Sequence, residues 1–492
     1  MRDDDASPPN AESSPSPRPR VAVAGASGFV GRALLPRLAE RGEVVALTRV
    51  PPAGSSGAIR WMRCDLFSIR ETEAALEGVE FAFYLVHSMM PSARLTQASF
   101  ADLDLLLADN FVRAAAAAGV RQIVYLGGIV PEGRGASRHL ESRREVERAL
   151  ASRGVPLTAL RAGLVMGAEG SSFQMLLRLV RRLPFMVCPR WTQNRTQPIA
   201  LEDAVSLLLY VLGDPESLGK TYEIGGPDVM SYRDMIVRTA QGLGLRRRTF
   251  PVPLLSTRLS RLWVSAFTGT PRALVTPLIE SLEHPMVASE RRLQERAGIA
   301  GLSFDEAMRR AIVAEATSPP GSVDAPRAAL RGERSRLRAA STVRSVQRLP
   351  LPAGRDASFV AREYVAWLPR FVGPLLAVDD DGKGGVRLGV RPLGVDLLSL
   401  RRVSERSGPD RELFRIEGGA LVAASNESHA RLEFREVLDG SAVLAAIHDY
   451  RPRLPWWLYN ATQAQAHLAV MRGFARHLSR LDAGQAAPSN SP

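Results

Sequence analysis

The chain of 492 residues is long enough for two or three domains, each with its own core, and its 45% hydrophobic and 23% charged residues are ordinary for a globular protein. No uncharged apolar run reaches the roughly eighteen residues of a membrane span, and the acidic start Met1-Arg2-Asp3-Asp4-Asp5 lacks the apolar core of a secretion signal. The net charge of +13 is carried almost wholly by arginine, Lys220 and Lys383 being the only lysines; the arginines are dispersed without a nucleic-acid-binding motif, so a solvated basic surface is expected and a nucleic-acid partner is not.

Residues 1–19, rich in Ser, Pro and Asp, have no hydrophobic period and are expected to be disordered, as is the tail 484–492. From Val21 the pattern becomes strand, glycine turn, helix. Val21 to Ala24 lead into Gly25-Ala26-Ser27-Gly28-Phe29-Val30-Gly31, and a helical pattern follows at once. Three glycines at this spacing serve a tight turn, close approach to a phosphate, and packing of helix on strand. The feature predicts a nucleotide pyrophosphate at a helix N-terminus. Further strands are expected at 44–48, 81–86, 122–126 and 157–161, with helices at 100–118 and about 140–152. Continuous apolar strands alternating with helices predict a parallel sheet covered on both faces, hence a doubly wound α/β domain over residues 20–315.

The second strand ends in Thr48-Arg49, where many NAD sites carry an acidic residue for the ribose hydroxyls. A guanidinium pairs well with a 2′-phosphate, which favours NADP (NADPH) over NAD. Asp65-Leu66 follow a third short strand, where the carboxylate can accept a hydrogen bond from the adenine amine or act as a plain turn residue. With Val86, His87 and Gly127 at later strand ends, the expected cofactor-binding set is Gly25, Ser27, Gly28, Phe29, Val30, Gly31, Thr48, Arg49, Asp65, Leu66, Val86, His87 and Gly127.

These motifs, with Leu160-Arg161-Ala162-Gly163, Gln197-Pro198-Ile199-Ala200-Leu201-Glu202-Asp203-Ala204 and Tyr222-Glu223-Ile224-Gly225-Gly226-Pro227, occur in the order seen in extended and atypical short-chain dehydrogenase/reductases. Over residues 20–302 the chain most resembles the NmrA-like branch, which includes relatives of the complex I accessory NAD(P)H-binding subunit. The resemblance implies a Rossmann domain with a small cap built partly from residues 170–300. The family's catalytic Tyr-x-x-x-Lys is absent, because Glu216 and Asp379 stand four residues before the two lysines. In the segment that aligns, His139 takes the Tyr position and Arg143 the Lys position, and Gly127-Gly128-Ile129 replaces the serine.

Three readings follow. His139 is a substitute general acid with Arg143 orienting the nicotinamide ribose, since imidazole titrates near neutrality. Alternatively the domain binds NADP(H) without turnover, as a sensor or accessory subunit. In the third, another group such as Tyr84, His87 or Tyr125 serves. The enzyme version is an oxidoreductase acting on a hydrophobic small-molecule carbonyl or alcohol. Trp191 and Arg195 are candidates for the substrate pocket. The apolar stretch 250–267, with Arg258 and Arg261, is part of the cap or an amphipathic membrane-contacting helix. The histidines show no metal-ligand spacing.

A composition break at 317–322 opens a linker, 316–342, and the style then changes. Strands at 397–403, 413–416, 430–437 and 442–450, joined by Gly- and Asp-containing turns, predict an antiparallel sheet. Ala464, Leu468, Met471, Ala475 and Leu478 mark the apolar face of a long final helix. Residues 343–483 are therefore an α+β domain that weakly resembles the helix-grip fold of START and polyketide-cyclase-like proteins. Trp456, Trp457 and Tyr459 are candidates to line a ligand cavity or to be core. Two cysteines, Cys64 and Cys188, fit a reducing compartment, and together with the N-terminus they point to the cytoplasm.

Overall fold

A computed structural model describes residues 19–52, 57–86, 96–131, 137–252, 279–317, 342–373, 376–390, 393–423 and 430–486. Residues 1–18, His87, most of the 250–267 stretch and most of the 316–342 linker lie outside the described residues.

The N-terminal half is a parallel sheet of seven strands. Five of them lie in the first 128 residues: β1 (Arg20–Ala24), β2 (Glu43–Thr48), β3 (Ile59–Arg63), β4 (Phe81–Tyr84) and, after a two-residue strand β5 (Thr96–Gln97) that belongs elsewhere, β6 (Gln122–Gly128). β7 (Leu157–Ala162) and β8 (Thr221–Ile224) complete it, in the order β8-β7-β6-β4-β1-β2-β3. Every pairing is parallel. The connecting helices include α1 (Phe29–Ala39), α2 (Ile69–Leu76), α3 (Phe100–Ala117) and α4 (Arg138–Ala151). Helices α2, α3 and α4 start on Ser68, Ser99 and Ser137, whose hydroxyls accept first-turn backbone N–H groups. The strand order reverses between β2 and β4 on either side of β1, so the crevice at the carboxyl end of β1 is where such a sheet takes a ligand. A cap of shorter elements follows. Its core joins Phe173 and Leu177, Met235 and Phe304 from three different helices.

The C-terminal half is an antiparallel sheet with two long helices. It begins with β9 (Val343–Pro350) and α5 (Ala357–Val372). Six strands follow: β10 (Leu376–Asp380), β11 (Gly385–Val390), β12 (Val395–Arg402), β13 (Arg411–Gly418), β14 (Arg431–Val437) and β15 (Ala442–Tyr450). The chain then enters the long α6 (Gln463–Ala486). The order β10 to β15, then β9, places the first strand beside the last, and β5 of the N-terminal half adds to that edge in parallel with β9.

Alternation along β14 and β15 assigns the two faces. Leu432, Phe434, Val443 and Ala445 pack under α5 and α6 with Trp367, Met471 and Phe474. Val437, Ala442, Leu444 and Ala446 point the other way and join one core with Leu103, Leu106 and Phe111 of α3. The two halves therefore share a hydrophobic core. Trp457, expected to line a cavity or to be core, is 72% exposed and does neither, whereas Tyr459 is buried core. The aromatic run lies at the start of a short helix, Trp456–Ala461, with one side in solvent.

Candidate functional site

The glycine turn shows why those positions carry no side chain. Gly25 has φ +85°, and a Cβ there would lie 2.8 Å from the carbonyl carbon and oxygen of Leu85. At Gly31 a Cβ would stand 2.4 Å from the Gly25 carbonyl oxygen and 2.8 Å from Ala26 Cα. The close contacts are backbone to backbone and cannot yield. The turn is closed by the Gly28 N–H, which donates to Gly25 O at 2.9 Å. α1 starts at Phe29 with Gly28 as its N-cap and no side-chain cap, leaving its first-turn N–H groups to an external acceptor. The Phe29 ring rests against the turn after the strand Leu164–Met166: a Cβ on Gly167 would be 2.6 Å from Phe29 Cζ. Arg32 pairs with Glu169 of the same turn and donates to Ser27 O at 3.3 Å. The turn is thus braced on both sides.

Thr48 and Ser27 bring their hydroxyls to 3.4 Å, joining the end of β2 to the glycine turn. Arg49 follows Thr48 and is exposed. At the end of β3, Cys64 N–H donates to Thr48 O at 2.9 Å, so Asp65 stands beside this corner. Its carboxylate accepts the Phe67 N–H at 3.1 Å and, at 2.6 Å, Nη1 of Arg344 from β9. Burial raises the Asp65 pKa, but the charge of Arg344, with help from Arg49, outweighs it and the net shift is downward. Leu66 is held from behind, because Asn110 of α3 donates to its carbonyl at 2.8 Å. Val86 is half-buried next to Gly25, with its N 3.2 Å from where a Gly25 Cβ would stand.

The positions expected to carry proton chemistry are interior. His139, in the first turn of α4, is 8% exposed and stacked on Phe100 at 5.8 Å. Burial, helped by the nearby Arg143 charge, pushes its pKa down to about 4. The Arg143 guanidinium pairs with Asp104 of α3, and both are buried. Tyr84 and Tyr125 flank this pair and are 1% and 0% exposed. Burial pushes the Tyr125 hydroxyl up to about 12. A Cβ at Gly127 would meet the Tyr125 ring at 2.6 Å, so the phenol fills the space a residue there would use. At Gly128 the space is ordinary, with Arg143 Cγ at 3.8 Å.

His139, Arg143, Tyr84 and Tyr125 are brought together, then, but as packed interior. Trp191 lies edge-on to Tyr232 at 6.3 Å within the cap core, and Arg195 is exposed on a two-residue strand beside Ser231. Sequence reasoning missed Asp104 and Arg344. Asp104 sits in the second turn of an apolar helix between Leu103 and Leu105, a signal for a buried partner that was there to be used. Among the described residues no cluster of three or more His, Cys, Asp or Glu is placed to hold a metal. No described helix is long and apolar enough to cross a membrane.

Residues 25–177 match the family described as NAD(P)H-binding. The chain is 32% identical over 113 residues to the auxiliary protein GraX of Staphylococcus aureus, covering 23% of this chain and 37% of that one. It is 25% identical over 224 residues to the mitochondrial NADH dehydrogenase [ubiquinone] 1 alpha subcomplex subunit 9 of Arabidopsis thaliana, covering 43% of this chain and 55% of the relative. The chain thus spans roughly a third to a half of the length of these curated relatives. A solved structure of the NADPH-dependent quinone oxidoreductase QOR2 of Escherichia coli, complexed with NADPH, is 19% identical with a TM-score of 0.48 and covers 58% of this chain and 98% of that one.

Proposed function

We propose that the chain is an NADP(H)-binding protein that holds the nucleotide as a sensor or accessory subunit rather than turning it over through a side-chain proton relay. The observation that carries the binding half is the glycine turn, where a Cβ on Gly25 or Gly31 would collide with backbone. Such a turn suits a pyrophosphate, which the α1 N-terminus then receives. The first-turn N–H groups of Phe29, Val30 and Gly31 would hold the phosphates, and Thr48 and Ser27 would face the adenosine ribose. Arg49 supports NADP, since the end of β2 offers a guanidinium where a carboxylate would select ribose hydroxyls. A bound nicotinamide supplies hydride chemistry.

Two observations support the non-catalytic half. His139 is neutral well below pH 7 and carries no imidazolium proton to give. Arg143 is engaged with Asp104 instead of facing the crevice. The test is fluorescence titration with NADPH and NADH, followed by a search for cofactor oxidation with hydrophobic carbonyl substrates. NADPH binding without turnover is expected. Turnover that disappears in His139→Gln would overturn this reading in favour of an oxidoreductase on a hydrophobic carbonyl or alcohol. Two buried free cysteines support a cytoplasmic setting.

A further inference from the structure

The corner of the nucleotide site next to Arg49 is finished by a residue 279 positions away from Asp65. Arg344 reaches from β9 across the interface between the two halves. Its Nη1 donates to Asp65 at 2.6 Å, its guanidinium lies over the Phe67 ring at 4.5 Å, and its Nη2 is 3.6 Å from Asp449. Glu71 is the second acid of the corner: its Oε2 accepts the Asp65 N–H at 2.9 Å. Arg431 also reaches Asp449, at 3.6 Å, so Arg49, Arg344 and Arg431 stand against Asp65, Glu71 and Asp449, and the corner is close to neutral. Without Arg344 it would be net acidic, beside the place where the β2 end meets the nucleotide.

We infer that Arg344, supplied by the C-terminal sheet, is a positioning residue of the nucleotide site: by pairing with Asp65 it cancels the negative charge that would repel a 2′-phosphate at Arg49. This rests on the NADP(H) reading above and names the device that selects the phosphorylated nucleotide. Arg344 is mostly buried and turned toward Asp65, Asp449 and the Phe67 ring, so its effect on the phosphate runs through those neighbours. It acts through Asp65, and nucleotide selection thereby depends on the docked second half of the chain. The neighbouring contacts hold that docking. Arg348 of β9 donates to Asp102 at 2.7 Å and to both oxygens of Glu145 at 2.6 and 2.8 Å.

The experiment uses the full chain and two probes, 2′,5′-ADP and 5′-AMP, whose affinities are measured by calorimetry. The wild type is expected to prefer 2′,5′-ADP. Arg344→Gln should cut that preference roughly tenfold while leaving 5′-AMP within about twofold, a pattern a loss of fold would not give. Arg344→Lys should restore most of it. In the double variant Asp65→Asn/Arg344→Gln the preference should return, since the charge needing cancellation is gone. Asp65→Asn alone, which keeps the arginine, should retain it. A preference unchanged by Arg344→Gln, or lost in Asp65→Asn, would overturn the inference and leave the nucleotide reading intact. A wild type that binds neither probe would overturn both.

Discussion

The neutral state of His139 is open to direct measurement. Its pKa falls from 6.5 to about 4 because the ring is buried against Phe100 and close to the Arg143 charge. At pH 6 only about one molecule in a hundred would then hold the imidazolium. The same shift is a statement about stability. An unfolded chain takes up the proton near 6.5 and the folded one only near 4, so the folded state binds fewer protons between these values. Stability must therefore fall as pH drops through that window, by about 2 kcal/mol at pH 5 for this one group. The assay is an NMR titration of the seven histidine rings, with the His139 signal assigned by its loss in His139→Gln. Denaturant unfolding at pH 7 and 5 completes it. The variant should lose less stability than the wild type on going to pH 5. A His139 ring that titrates at 6 or above would refute the reasoning and make it a competent general acid.

His467, half-buried and within 3.1 Å of the Ser345 hydroxyl, is also pushed down to about 4 by desolvation and should add a similar acid sensitivity, removed by His467→Gln in the same unfolding series. Gly31→Ala should weaken NADPH binding at least tenfold by calorimetry while far-UV circular dichroism stays native, since the new methyl meets the Gly25 carbonyl oxygen at 2.4 Å. Arg49→Ala should lower NADPH affinity about tenfold or more and leave NADH unchanged, given the strength of a charge-assisted pair with a phosphate. Glu433→Ala should cost about 3–5 kcal/mol in denaturant unfolding, because it strands Arg411, Arg435 and His448 without their shared carboxylate. Burial raises the Glu433 pKa, but Arg435 and Arg411 outweigh that and hold it well below the usual range. The stability it confers is present above the unfolded value of about 4.3 and vanishes as pH falls through the lower folded one.

The nucleotide-binding half was legible because its signals are local. Apolar strands buried on both faces read as continuous runs, and two of the three glycines, Gly28 and Gly31, answer to contacts within a few residues, Gly25 answering to the neighbouring strand end at Leu85. The strands β14 and β15 were also found, as runs at 430–437 and 442–450 between Gly- and Asp-containing turns. What alternation could not tell is what covers the other face. Glu433, Arg435 and His448 look like a solvated side, yet they are 1%, 1% and 3% exposed. Their cover is α3, where Asp109 and Asn110 accept from Arg435 at 2.8 and 2.5 Å. β9 went unread for the same reason: Ser345, Gln347 and Arg348 face another half of the protein, and their polarity mimics water exposure. No short-range rule separates Arg344 from the other arginines of an arginine-rich chain. Its role exists only once residues far apart in sequence have met.

The shared core of α3 with β14 and β15 also says how the chain can be divided. A fragment ending at Thr317 would keep every strand of the parallel sheet and still bare Leu103, Leu106 and Phe111 to water. Asp102 and Glu145 would lose Arg348 at the same stroke, and Asp109 would lose Arg435 and keep only Arg113 of its own helix. An apolar strip rimmed with acids is a surface that seeks another protein. The second half therefore behaves as a subunit that arrives already tethered, at a local concentration no free partner reaches. Excising it would yield a sticky domain, and the useful boundary for dissection lies at neither end of the linker.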